Sequence, residues 1–217
     1  MTMKFDKGIA KKYRKSVEDA FDAILEHGTD LQKEIAEHIV ESNMLVRVAP
    51  VSEVNASGVT GLIDPEGTND RIEEEHIGLR ESLGEIYIAI AEETIDTGGQ
   101  RGCEGTFVHE GRHAYDFART IESFSNADVN PLSIFDPTLY ELELEAHKIS
   151  GDYMLCINKP EYIDEGLGLM ILHRDNEVSP CYVSDAGIHR RLNESYGLSP
   201  EGNQGPRASD LLGLRLK

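Results

Sequence analysis

Two histidines four residues apart, with a glutamate between them, are the residues of this chain best suited to chemistry: His109-Glu110-Gly111-Arg112-His113. On a helix, positions i and i+4 share a face about one turn apart, so both imidazoles can reach one zinc ion. Glu110 follows the first histidine and reaches the coordination position left open, where its carboxylate can take a proton from metal-bound water and deliver it to a leaving amine. Zinc lowers the pKa of that water towards about 7 and polarises the carbonyl under attack. A catalytic zinc usually has three protein ligands, so a third is expected downstream.

A third histidine six residues after the second would fall at position 119, where Arg119 stands, and Cys103 lies too close to His109 to supply a cysteine ligand from a separate motif. What remains is a carboxylate on the following helical segment, where Glu141-Leu142-Glu143-Leu144-Glu145-Ala146-His147 offers three. Helical spacing makes Leu142, Ala146, Ile149 and Tyr153 a buried stripe, with Glu143 and Glu145 on its flanks and Glu141 further out. Glu143 and Glu145 are therefore rival ligands. His147 is either a partner of the ligands or a surface or packing residue. Asp116, three residues past His113, is placed to hold the second nitrogen of a ligand histidine or to sit at the surface. His173, Tyr182 and His189 are candidates for stabilising an oxyanion, with Tyr115 a further one from the motif helix.

On these residues the chain resembles the gluzincin metallopeptidases, in which a Glu-x-x-Ala pattern on the second helix supplies the third zinc ligand. Glu143-Leu144-Glu145-Ala146 matches that pattern. The resemblance makes Glu143 the ligand and Ala146 the small residue that lets the two helices approach. The string from His109 to Asp116, with the later Glu-x-Glu-Ala, is also similar to small metallopeptidase domains of bacterial polymorphic toxins and secreted effectors. It covers about Gly84 to Tyr153. It implies a zincin-like fold, Zn2+ held by His109, His113 and Glu143, Glu110 as general base, and a protein or peptide substrate. Two other readings stand beside this one: a non-catalytic zinc-containing interaction or regulatory protein, and a zinc hydrolase of a non-peptide amide, which the same activated water would serve.

The elements that must position these residues follow from periodicity. Ile9, Tyr13, Val17, Phe21 and Ile24 recur at helical steps, predicting a helix over Lys7 to His27, and a second runs from Asp30 to Ser42 after Gly28-Thr29. Met44 to Val51 reads as a strand, with Gly58 to Ile63 as its partner. Asp64 to Arg80 reads as a surface loop with at most a helical turn. Ile86, Ile88 and Ile90 alternate with Tyr87 and Ala89, so Gly84 to Ala91 is the strongest strand, placed where an extended substrate would pair with it. A polar loop from Glu92 to Gly105 leads to the motif helix, Thr106 to Ser123, with Phe107, Val108, Ala114, Phe117 and Ile121 on its apolar face. Further helices are expected at Thr138 to Cys156 and Asp185 to Tyr196, a strand at Leu167 to His173, and a loosely held tail from Ser199. The expected architecture is α+β, one domain over 1–217. A small mixed or antiparallel sheet covers two zinc-bearing helices (core 84–156), and the N-terminal helices (1–43) pack outside.

Composition bounds the partners. The 217 residues carry a formal charge of -19, which argues against nucleic acid and would favour cationic partners. Cys103, Cys156 and Cys181 make an odd count and read as reduced thiols, as in a cytoplasm. Met1 to Lys15 is basic but has no apolar core or cleavage site behind it, and no run is long enough to span a bilayer. Cytoplasmic residence, or export as an effector without a Sec signal, is expected.

Overall fold

The computed structural model describes residues 3–127, 131–158, 172–173, 175–176 and 182–215. Its larger sheet has four strands, β1 (Lys4–Phe5), β2 (Leu45–Ala49), β3 (Gly58–Leu62) and β4 (Ile86–Ala91), in the order β1-β2-β4-β3. The β1–β2 and β2–β4 pairs are parallel, and β3 runs antiparallel to β4. The sheet is thus mixed and the architecture α+β. One pairing differs from expectation: β2 is bonded to β4 and not to β3, Leu45 standing opposite Tyr87 and Ala49 opposite Ala91. Parallel neighbours need a long crossover, and the chain uses residues 50–85 for it. Because β4 is central, its inner-face Ile86, Ile88 and Ile90 are fully buried.

Nine α-helices pack with this sheet among the described residues: α1 (Lys11–His27), α2 (Asp30–Glu41), α3 (Val51–Val54), α4 (Pro65–Glu74), α5 (Leu79–Gly84), α6 (Glu92–Ser125), α7 (Leu139–Cys156), α8 (Asp185–Tyr196) and α9 (Ala208–Leu212). A two-stranded sheet joins β5 (Leu172–His173) to β6 (Tyr182–Val183). The remainder of the strand expected from Leu167 lies outside the described residues. No helix among the described residues is long and apolar enough to cross a membrane. Cys103 and Cys156 are free thiols, and Cys181 falls outside the described residues.

Two segments expected to be loops are helical. In Asp64 to Arg80, the Asp64 side chain accepts the Gly67 amide at 3.1 Å and Pro65 occupies the first helical position of α4, a start signal strong enough to outweigh the glycine and the run of acids. The segment Glu92 to Gly105 is the first part of α6, interrupted only at Gly99, where φ is +60. Local propensity disfavours it, and tertiary contacts hold it: Lys12 and Tyr13 of α1 both bond Asp96, Glu93 accepts the Val51 amide at 2.7 Å, and Thr94 bonds the Ser57 carbonyl. The glycines serve close packing. A Cβ on Gly105 would stand 2.6 Å from Met154 Cε, and one on Gly111 would stand 3.3 Å from Ile39 Cδ1 of α2.

Helix α6 is the spine of the molecule, contacting β3, β4, α1, α2, α4, α5, α7 and α9. Tyr153 of α7 is fully buried and donates at 2.9 Å to Glu104 of α6, which is 1 % exposed and also accepts from Arg101. The segment from Ser199, expected to be loose, is tied down as far as Arg215. Pro206 and Gln204 carbonyls accept the first-turn amides of Leu139 and Tyr140, which no intrahelical acceptor could satisfy. Ser209 in turn bonds the Asp136 carboxylate through both its amide and its hydroxyl. Removing the donor from a buried carboxylate costs about 1.5–3 kcal/mol. Tyr153→Phe should lower stability to urea by that amount, while Tyr13→Phe, at a more exposed pair of carboxylates, should cost clearly less.

Candidate metal centre

Helix α6 presents His109 and His113 from one face, their Nε2 atoms 3.1 Å apart. Glu143 reaches them from α7, with Oε2 3.5 Å from His109 Nε2 and Oε1 3.5 Å from His113 Nε2. Ala146, fully buried one turn beyond Glu143, leaves room for the two helices to close. One donor atom from each of the three residues lies within 4.8 Å of the others.

These residues fit a zinc ion. Donors about 2.0–2.2 Å from a tetrahedral ion stand roughly 3.3–3.6 Å from one another, close to the separations found here. The set is two imidazole nitrogens and one carboxylate, the donor types zinc takes. Glu143 Oε2 is moreover a buried oxygen without a hydrogen-bond partner among the described residues, a state that normally costs free energy and that a cation would relieve. Burial opposes ionisation of Glu143, yet His109 and His113 together hold its carboxyl well below the usual carboxylate range. Burial likewise disfavours a charged His113, and Glu143 outweighs it and pushes that imidazole up.

The rival glutamates are engaged elsewhere. Glu141 completes the capping box at the start of α7, accepting the Thr138 amide at 2.8 Å. Glu145 has a side chain 43 % exposed and lies 3.6 Å from Arg112 and 3.7 Å from Lys148. His147 is no surface residue: it is 2 % exposed, its ring centroid is 5.0 Å from that of His109, and its Nε2 is 3.7 Å from Glu143 Oε2. Burial first, and then the neighbouring His109, push it down to about 3, so it stays neutral. Asp116 bonds Arg112 at 2.7 Å and is hydrogen-bonded to neither His109 nor His113.

The expected oxyanion donors do not gather at this site. Tyr115 stacks on His38 of α2, His189 pairs with the Tyr140 hydroxyl, and Tyr182 donates to Asp175 at the surface. The side chain of His173 lies outside the described residues. A cleft of about 610 Å³ adjoins His109 and Glu110 of α6, and the other groups that reach it include Gly58 at the start of β3, Arg101 and Thr106 from α6, and Arg191 and Tyr196 from α8. Partial desolvation, and then the Glu143 and Glu110 carboxylates, push the Tyr196 hydroxyl up to about 12, which keeps it a hydrogen-bond donor at neutral pH. Glu110 is held from β3 by Thr60, whose hydroxyl donates to Oε2 at 2.7 Å. None of Thr60, Arg191 and Tyr196 sits in a local motif; only the folded chain brings them to the histidines. Comparison of the chain with protein-family models, with curated proteins and with solved structures finds no match.

The geometry separates the two glutamates by experiment. Glu143→Ala should weaken zinc binding by at least about tenfold and abolish the rise in melting temperature that zinc confers, since ligand binding to the folded state adds to its stability. Glu145→Ala should leave both within about twofold. Calorimetric titration of the zinc-free protein with zinc checks both.

Proposed function

We propose that this chain is a zinc-dependent hydrolase of the gluzincin type, acting on a peptide bond in a protein or peptide substrate. One observation carries the reading: His109, His113 and Glu143 converge with their donor atoms together, and Glu110 stands beside them at an open cleft. A purely structural metal site is closed on all sides by protein, whereas a catalytic one keeps a position open.

Bound between these ligands, zinc would acidify a water and polarise the scissile carbonyl. The chain's own groups supply the rest. Glu110, unlike Glu143, reaches neither histidine; it faces Thr60 and the cleft, as a base must that handles a proton and binds no metal. Tyr196 and Arg191 provide donors on the cleft wall for the oxygen that gains negative charge when the carbonyl is attacked. The substrate lies along β3. The strand expected to align it, β4, is bonded on both edges, to β2 and to β3, and has no groups left to pair. β3 is a terminal strand of the sheet among the described residues; its free edge suits an extended peptide better than a compact amide, and its inner face lies against Glu110 and Thr106.

In Glu110→Gln, metal content and fold should be unchanged and turnover should fall by about 10²–10⁴-fold. Mapping new protein N-termini after expression of native and Glu110→Gln forms would reveal the cleavage sites. Identical sets of N-termini from the two forms, with one zinc bound to each, would rule out Glu110-dependent proteolysis and favour a non-catalytic metal protein.

A further inference from the structure

We infer that Thr60 is a positioning residue for Glu110, fixing the carboxylate so that the proton is received at Oε1; the inference rests on the hydrolase reading given above. Thr60 occupies the middle of β3 opposite Ile88, whose side chain is wholly buried, so its own side chain points inward onto α6. Its hydroxyl lies 2.7 Å from Glu110 Oε2 and 3.2 Å from the Glu110 carbonyl oxygen. A hydroxyl has one proton to give, and the shorter contact to a charged acceptor takes it. Among the described residues Oε1 accepts no hydrogen bond.

The neighbouring backbone narrows the choice further. A Cβ on Gly58 would stand 2.7 Å from Glu110 Cγ and 2.9 Å from Oε1, and 2.7 Å from Thr106 Cγ2. β3 therefore lies directly on the side chain of Glu110: the bare Gly58 confines it, and two residues later Thr60 grips one of its oxygens. Rotation of the carboxylate would break the bond to Thr60. With Oε2 occupied, a water attacking the carbonyl carbon passes one proton to Oε1, the carbon–nitrogen bond breaks, and the same proton leaves Oε1 for the departing nitrogen. The hydroxyl of Thr60 stays on Oε2 throughout. Because β3 is also an edge strand of the sheet, the element that would align a peptide and the element that orients the base are one and the same.

The test uses the full chain with Thr60→Val, which keeps the shape and removes the donor, and Thr60→Ser, which restores it. On a fluorogenic peptide built around a cleavage site that depends on Glu110, Thr60→Val should lower kcat by roughly tenfold or more, with KM within about twofold. Thr60→Ser should recover most of the loss. In a Glu110→Gln background, Thr60→Val should have little further effect, because the residue acts through Glu110. Urea unfolding of the metal-free Thr60→Val, Glu110→Ala and double variants gives a readout independent of turnover: the effects on the folding constant should miss multiplicativity by about tenfold. Multiplicative folding constants, or a kcat loss that serine does not repair or that persists undiminished beside Glu110→Gln, would overturn the assignment. Coupled stability without any Glu110-dependent turnover in the native protein would instead refute the hydrolase reading and leave Thr60 as the holder of Glu110.

Discussion

A carboxylate removed from water between two helices sets the terms for this fold. Glu143 is buried in α7 with His109 and His113 of α6 on either side of it. Burying an anion is costly unless an opposite charge or a set of donors stands close, so the spacing of the two helices has little freedom at this level. A second polar rung fixes it elsewhere, where Tyr153 meets Glu104 and Arg101. The paired residue numbers run in opposite senses along the two helices, 143 with 109 and 113, and 153 with 104, so α6 and α7 are antiparallel. Along the seam the small or apolar residues Gly105, Ala146, Ile149 and Met154 are packed beside these rungs. Apolar packing along the seam supplies attraction while the polar rungs set register.

Around that pair the sheet has an asymmetric task. β4 is consumed in holding the structure together, bonded on both edges and buried on its inner face, while β3 has no strand partner on one edge among the described residues and lays its inner face on α6. The inner surface of β3 is built for contact with the helix: Gly58 has no side chain to intrude, and Thr60 ends in a donor. A strand whose side chains were all large would have to stand further off, and Glu110 would be free to turn.

The sequence discloses the parts of this arrangement that are local. An i, i+4 histidine pair, an alternating isoleucine strand and the apolar stripe of α7 each lie within a few residues of one another, and periodicity finds them. The pattern also brings Glu143 forward, although helical spacing by itself leaves Glu145 equal to it; Arg112 of α6, which draws Glu145 outward, is invisible in a helical wheel of α7 alone. Two departures from local expectation share a cause, contacts made at long range. Glu92 to Gly105 has four glycines and poor helical propensity, and it is helical because α1, α3 and the approach to β3 bond it from outside. Proximity in sequence favours β3 as the partner of β2, whereas the sheet pairs β2 with β4 across a crossover. The segment Pro65 to Glu74 is a different case, since Asp64-Pro65 is a start signal written in the sequence that outweighs the loop-like composition after it. Thr60, Arg191 and Tyr196 could not be found locally at all.

The stretch from Gln204 to Ser209 supplies acceptors for the exposed amides at the start of α7 and clasps Asp136 just ahead of it. That has a temporal meaning during synthesis. The histidines and Glu143 leave the ribosome well before residue 204, yet the helix that carries Glu143 keeps an unfinished first turn until that stretch follows. Nascent chains halted short of it would hold all three metal-ligand candidates without a settled frame for the third. The site is therefore expected to be among the last parts of the protein to mature.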